Sequence, residues 1–563
     1  MDKKEIKEKK EKKGISSSVK FTILAIILIA IICVALSPVT LQNDTYYTIK
    51  VGEHIAKYGV DMEDPFSWHE DLGYTYPHWG YDLITYLIYN TFGMTGIYVT
   101  TCILAVILGI TIYLVNSKLT KNQVLSFILT IGVMYAIRGY IAARAQLVTF
   151  ILFALTIYFI EKFLETKKKR YGVGLIIIPI LIANLHIAVF PFYFILYLPY
   201  IGEYIIAALG ELVIYRKIET RKLESKIKKL KNKQSDSEKI NQLEKQLEEL
   251  KAKVDKVKIK RTKELQNPYK IKLTKNDNVK WLILIMVICA FTGLLTPLGT
   301  EPYTYLAKTM EGNTTQNINE HLPMTIANET EAMCAIILVL APLIFTKVKI
   351  KLSDLFMIGG LGYLMLISRR QITMFAIVGS VVLNRLITNL IIAYDNEEII
   401  EQWKKRLTSK IGIIITCVLV IGLGYYFAKD KFDDEYIDES SYPVQACDYI
   451  LTHIDLGQAR FYNEYNYGSY MIYRGIPVFI DSRADLYAPE FSGKDDDIFM
   501  DFIETSGISK FYEDIFEKYN ITHVITYKNS KMNMIITRTN DKNYKELYSD
   551  NYFTVYERNS NNS

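Results

Sequence analysis

Between residues 42 and 81 the chain crowds together groups that can handle sugars. Asp44, Glu53 and Asp64 supply carboxylates, His54, His69 and His78 supply imidazoles, and Trp68 and Trp79 supply indoles. Carboxylates and imidazoles take protons from hydroxyls, and flat aromatic faces pack against sugar rings. By composition alone the stretch is equally an acidic surface loop with interfacial aromatics. Asp64 precedes Pro65, and an Asp before Pro is also a routine turn former.

The elements around this loop define its setting. Half of the residues are hydrophobic, and the 42 Tyr and 25 Phe suit membrane interfaces. A membrane span needs about 20 apolar residues, fewer where a helix is buried in a bundle. Eleven segments read as spans: 20–37, 95–116, 123–138, 145–162, 171–186, 188–209, 280–298, 331–346, 353–368, 372–394 and 411–427. Lysine-rich linkers (Lys118/Lys121, Lys167 to Arg170, Lys347/Lys349/Lys351, Lys404 to Arg406) alternate with lysine-poor ones. One count puts every lysine-rich linker inside. The N-terminus is then cytoplasmic and, because eleven is odd, the C-terminal region is extracytoplasmic. Residues 21–36 have the apolar core of a signal peptide, but no small-residue cleavage site follows, so they read as an uncleaved first span.

This count places His54, His69, His78, His186, His321, His453 and His523 all on or near the outer side. The chemistry therefore faces outward. The net charge of +6 sits in inner loops and is no nucleic-acid signature. Five of the six cysteines lie in apolar segments and only Cys447 in the tail, so neither a disulfide framework nor a cysteine metal site follows.

The expected fold class is a polytopic α-helical protein of the plasma membrane, with about eleven spans. Residues 1–19 are a basic cytoplasmic N-terminus and 20–427 the membrane domain, with 38–94 as its first outer loop. Within that loop, Tyr81 to Gly93 reads as a surface helix. Residues 428–563 form an extracytoplasmic α/β domain, with strands at Arg460–Tyr465, Pro477–Asp481, His523–Tyr527 and Phe553–Arg558 and helices at 443–454 and 508–519. The insertion 216–277 is a cytoplasmic coiled-coil hairpin. Ile240, Leu243, Leu247, Leu250, Val254 and Val257 make one seam, Leu223, Ile227 and Leu230 a shorter one, and Gln234 to Ser237 the turn. A solvated spacer, a coiled-coil partner and a contact between copies of the chain all suit such a hairpin.

Several short motifs share a wider resemblance. They are the acidic residue after the first span (Asp44), the helix with Gly52-Glu53, the turn Asp64-Pro65-Phe66-Ser67 and the pair His78-Trp79. Ala143-Arg144-Ala145-Gln146, Asn184-Leu185-His186, Pro297-Leu298-Gly299 and Arg369-Arg370 follow. The tail adds Tyr465 to Tyr470 and the most specific run, Pro477 to Tyr487. In these the chain resembles the GT-C superfamily of membrane glycosyltransferases, and within it a bacterial subgroup of multi-span proteins. The resemblance spans nearly the whole chain except the hairpin.

The resemblance implies a hexosyl transfer from a polyprenyl-phosphate sugar donor to a glycan, lipid or protein acceptor at the outer membrane face. It carries the catalytic carboxylate to Asp44. Some of these enzymes have two adjacent carboxylates there, whereas this chain has Asn43-Asp44. Asp44 then acts as general base, with Asp64 as the alternative and His78 assisting. An arginine at the bilayer centre costs about 2.5–3.5 kcal/mol, so Arg138, Arg144, Arg369 and Arg370 belong at helix ends. There they suit either interface anchoring or the lipid phosphate, which a guanidinium grips bidentately. Glu53, His54, Trp68, Trp79, His186, Asp481 and Arg483 are the candidates for sugar or acceptor binding; Asp481, Arg483 and Asp485 equally suit a structural cap on a sheet edge. No cofactor is called for, and a divalent metal is not favoured, since no clean ligand spacing exists.

Two other classes compete. A lipid-linked saccharide transporter or flippase needs ionisable residues deep in its spans and internal repeats, and the sequence shows neither. A non-catalytic membrane scaffold leaves the loop carboxylates and arginines without a task. The membrane arrangement is checked with single cysteines at Ser237 or Ser549 in a chain lacking Cys447. An impermeant thiol reagent outside the cell should label Ser549Cys only. Labelling of Ser237Cys would overturn the count.

Overall fold

The computed structural model describes residues 16–211, 214–232, 238, 240–252, 270–325, 330–395 and 398–559. A helix stands at each of the eleven apolar segments. Six stretches are long and apolar enough to cross a membrane: Ser17–Leu36, Trp79–Thr120, Gln146–Thr166, Ile187–Leu209, Arg369–Tyr394 and Lys410–Lys431. Gln123–Ala136, Val279–Leu294, Thr330–Phe345 and Leu352–Ile367 are shorter apolar helices. Lys410–Ala428 exposes Ile411, Val418 and Leu419, as expected of a helix that faces lipid.

Two polar features knit this bundle. Asn116 donates to Ser380 (3.0 Å), Asn384 to Ser126 (2.9 Å) and to Asn116 (3.2 Å), and Asn122 to Thr388 (3.1 Å). Such bonds hold apolar helices together where hydrophobicity cannot. In the second, Arg385 is paired with Glu161 (3.0 Å) and Asp354 (2.5 Å). Arg385 thus stands as a charged residue within the apolar segment 372–394, which the reading of the spans passed over. Arg385 went unnoticed because its two partners lie on other helices, at their ends.

Of the hairpin insertion, Ile214–Asn232 and residues 240–252 are helical. Glu224 pairs with Lys251 (2.8 Å) and Lys231 with Glu244 (2.5 Å). One partner advances as the other retreats, so the two helices run antiparallel. Val254, Val257 and the turn Gln234 to Ser237 lie outside the described residues.

The tail builds a four-stranded sheet in the order Phe461–Tyr462, His523–Tyr527, Phe553–Arg558, Tyr544–Ser549. The first pairing is parallel and the other two antiparallel. His523–Tyr527 and Phe553–Arg558 match the sequence reading, and Phe461–Tyr462 is the part of Arg460–Tyr465 that forms a strand. Pro477–Asp481 is not a sheet strand; its Val478 makes a single parallel bridge to Ser67 of the first loop. Residues 465–473 are helical rather than the end of a strand, because Tyr467, Gly468, Tyr470, Met471 and Ile472 all turn into the core. There Gly468 lies so close to the Ile480 carbonyl that a Cβ would stand 2.0 Å from it.

Three close approaches assemble the first loop. Asn43–Tyr58 is buried nearly all round, as a helix enclosed on two sides must be. Tyr46 packs edge-on against Tyr442 and Tyr470 of the tail (4.9 and 5.1 Å). On the opposite face Gly52 meets the next helix, where a Cβ would lie 2.1 Å from the Asp82 carbonyl. That next helix, Trp79–Thr120, bends at Gly93 (φ 62°), so its first part forms a separate segment, as Tyr81 to Gly93 was read. Its Gly80 approaches the Asn184 carbonyl, and Ile187 N–H donates to Pro77 O (2.9 Å). His78 is thereby set beside His186.

The first loop is bolted to the tail by charge. Arg483 donates to Asp64 (2.7 Å) and, through Nε and Nη2, to both oxygens of Asp481 (2.9 and 2.8 Å). The three side chains are at most 2% exposed. Burial alone would raise the Asp64 carboxyl, but Arg483 and the bonds from Ser67 overcome it and hold it below its usual value. Tyr487 O–H closes the cluster on Asp481. Breaking one arm of such a pair strands a buried charge, which costs about 3–5 kcal/mol. Asp64→Asn should therefore lower the thermal unfolding temperature in detergent markedly. Because the folded-state carboxyl is depressed, the wild-type contribution is full above about pH 4 and is lost as pH falls through the folded value. An unchanged melting curve, or equal acid sensitivity in Asp64→Asn, would contradict this.

Candidate active site

A cavity of about 970 Å³ opens where the membrane helices, the first loop, residues 305–321 and the tail meet. Asp44, His78, Arg144, His186, Arg370 and Arg483 line it, together with Tyr47, Glu320, His321, Tyr465 and Asp485. Asp44 sits in the first turn of Asn43–Tyr58, where the helix dipole favours a carboxylate. Tyr47 and Thr48, one turn on, face the same space.

Arg144 is the hub. Its guanidinium bonds Asp44 through Nη2 and Glu320 through Nη1 (3.2 Å). Burial would lower its proton affinity, but Asp44 and Glu320 more than reverse this, so it stays a cation. Arg370 donates to Gln146 (3.4 Å) and, among the described residues, has no carboxylate within 4.0 Å. Its backbone N–H bonds the Glu320 carbonyl (3.0 Å), and that of Arg369 the Leu322 carbonyl (3.1 Å), so residues 320–322 run alongside the arginine pair. Burial, followed by the charge of Arg370, pushes His321 below its ordinary value. His186 shares a 2.9 Å bond with Thr149. Asn43 Oδ1 and the Tyr74 hydroxyl are buried without hydrogen-bond partners among the described residues, and both residues line the cavity. Among the described residues no three His, Cys, Asp or Glu side chains gather closely enough to hold a metal ion.

The far wall is joined by Asp485. Its carboxylate accepts from Tyr305 (2.8 Å), Thr309 (3.2 Å) and Thr314 (3.0 Å). The tail thus holds the helices Glu301–Glu311 and Thr314–Asn317, and these lead directly to Glu320.

Other residues singled out in the sequence lie elsewhere. Asp64 and Asp481 are walled into the Arg483 cluster, so neither faces the cavity as a base or a sugar ligand. Glu53 is held by Lys50 and Lys57 (both 2.6 Å), and His54 by Asp61 (2.6 Å). Trp68 donates to the Phe461 carbonyl (2.9 Å) and packs on His69 and Phe479, fixing the loop to the tail. Burial pushes that His69 down to about 4, so it is a neutral packing group. Trp79 is half-buried outside the cavity wall. Arg138 lies over the Tyr135 ring and pairs with Glu331 (3.1 Å), which is the anchoring alternative. Arg369 is not among the residues that line the cavity. Glu320, Tyr305 and Tyr465 were missed as site residues; a loop without periodicity gives its carboxylates no distinguishing pattern.

No family model matches the chain, and no curated protein does either. Solved structures do. The oligosaccharyltransferase of Archaeoglobus fulgidus, tethered to an acceptor peptide containing the NVT sequon, aligns with a TM-score of 0.51 at 12% identity, over 90% of this chain and 69% of that one. Archaeal oligosaccharyltransferase AglB from the same organism, with an inhibitory peptide and a dolichol-phosphate, gives 0.51 at 11%, over 91% and 70%. The apo form gives 0.52 at 11%, over 90% and 69%. The chain has the fold of these GT-C superfamily glycosyltransferases.

Proposed function

We propose that the protein transfers a sugar from a polyprenyl-phosphate donor to an acceptor bound in this cavity, at the outer face of the membrane. The observation that carries the reading is the convergence of Asp44, Arg144 and Arg370 in one large cavity between apolar helices and tail. The fold adds to it, since one protein sharing this fold was solved with a lipid phosphate and a peptide. Arg370, whose guanidinium bonds Gln146 but no carboxylate, offers its charge to the phosphate, and Arg144 joins it. Phosphate competes with Asp44 for Arg144, so donor binding frees the carboxylate. Asp44 then takes the proton of the acceptor hydroxyl as that oxygen attacks the anomeric carbon. Lipid phosphate leaves from the opposite face, and the anomeric centre inverts. The guanidinium charges stabilise the phosphate as its bond to the sugar breaks.

Sugar transfer is measured in liposomes with a synthetic polyprenyl-phosphate sugar. Asp44→Asn should lower turnover by about 10²–10⁴-fold without weakening donor binding, because the phosphate then no longer competes with a carboxylate for Arg144. Arg370→Ala should raise the donor concentration required as well as slow turnover, because the phosphate is charged before and during the reaction. Full turnover by Asp44→Asn would remove the base from this residue. Failure of the wild type to consume any polyprenyl-linked sugar would overturn the transfer reaction itself.

A further inference from the structure

Asp82 is a carboxylate that the scheme above does not use. It is fully buried, on the first turn of Trp79–Thr120, and its Oδ1 makes no hydrogen bond. A buried carboxylate without a partner is costly and is normally paired. Among the described residues its one cationic partner within 4.0 Å is His78, whose Nδ1 lies 3.4 Å from each carboxylate oxygen. The pairing is built in: His78 and Asp82 are four apart at the helix start, and the Asp82 N–H donates to the His78 carbonyl (2.9 Å). With Nδ1 turned to Asp82, the other ring nitrogen, Nε2, is left without a partner among the described residues. The ring lines the cavity and is 17% exposed there.

The neighbours of this imidazole are those of a phosphate site. The His186 ring is 5.7 Å away, and His186 in turn feels the charges of His78, Arg370 and Arg144. Tyr47, one turn from Asp44, lies 6.2 Å away on the other side. A carboxylate behind an imidazole fixes which nitrogen faces the reaction and matches the charge when both nitrogens are protonated.

We propose that His78, oriented by Asp82, is the acid that gives its Nε2 proton to the departing lipid phosphate. This rests on the transfer reaction proposed above. The new bond joins the acceptor oxygen to the anomeric carbon. The bond that breaks joins that carbon to the phosphate oxygen, which keeps the electron pair. Asp44 receives the acceptor's proton, and the phosphate receives the one from His78, so the lipid leaves as a monoanion. Water then takes the proton from Asp44 and restores the one on His78. A phosphate monoester dianion takes up its first proton near pH 6, so the departing lipid phosphate is basic enough to accept one. His78 is thus a catalytic residue and Asp82 a positioning residue.

The test compares His78→Gln, Asp82→Asn and the double variant, each first shown to bind polyprenyl phosphate within threefold of wild type. With the oxygen-bridged donor, His78→Gln should lose about 10²–10³-fold in turnover. The double variant should lose no more than His78→Gln alone, because the two act as a unit. With a donor whose bridging oxygen is replaced by sulfur, which departs without a proton, the loss should shrink below tenfold. Should Asp82→Asn fail to bind lipid phosphate, His78→Ala carries the test, and added imidazole should restore its turnover. Undiminished turnover in active, phosphate-binding variants overturns the dyad alone. Equal losses on both donors overturn the acid role, and losses that multiply in the double variant separate Asp82 from His78. A wild type inert toward every lipid-phosphate sugar brings down the transfer reaction as well.

Discussion

Everything around the cavity depends on one buried guanidinium. Arg483 belongs to the tail, and the carboxylate it needs beyond its own neighbour Asp481 is Asp64 of the first loop. A cation so enclosed is tolerated only when both carboxylates are in place. The tail and the loop are therefore not two bodies resting against each other but halves of one electrostatic unit. The Ser67–Val478 bridge, the Trp68 bond to Phe461 and the Tyr46 packing are arranged around it. They hold Asn43–Tyr58 in place, and with it Asp44.

A second arginine plays the opposite part. Arg144 also spans two carboxylates, but it does so in an open cavity rather than a sealed one. Both reach the cavity wall, but the Arg483 side chain is 2% exposed and that of Arg144 23%. The same chemical pairing serves rigidity in one place and exchange in the other, and solvent access makes the difference. Around Arg144, Arg370 is held only by Gln146 and has no carboxylate beside it, and Asn43 Oδ1 and the Tyr74 hydroxyl are buried without partners among the described residues.

Much of this was legible in the sequence. The eleven apolar segments are helices because their composition leaves no alternative in a nonpolar setting. Asp44, His78, Arg144, His186 and Arg370 were singled out and do converge, because they flank helix ends that the fold gathers. What could not be read was the division of labour among similar groups. Asp64 and Asp44 are both carboxylates in one loop, and only the partner 419 residues away shows that Asp64 is structural. Glu320 and Tyr305 sit in a loop with no period, and their roles come entirely from Arg144 and Asp485. The strand Tyr544–Ser549 escaped because it is a sheet edge, with Lys545, Glu546 and Ser549 exposed. Asp82 escaped because it lies among apolar residues and its meaning depends on His78.

The bonds to Asp485 and Arg483 also set a chronology. Chains are made from the N-terminus, and early segments fold first. The first loop emerges with Asp64 unanswered, and residues 305–314 emerge with their hydroxyls unclaimed. Every membrane helix is synthesised before Asp481, Arg483 and Asp485 exist. The groups that join the cavity's walls are thus the last to be made, since Asp481, Arg483 and Asp485 follow every apolar helix in the chain.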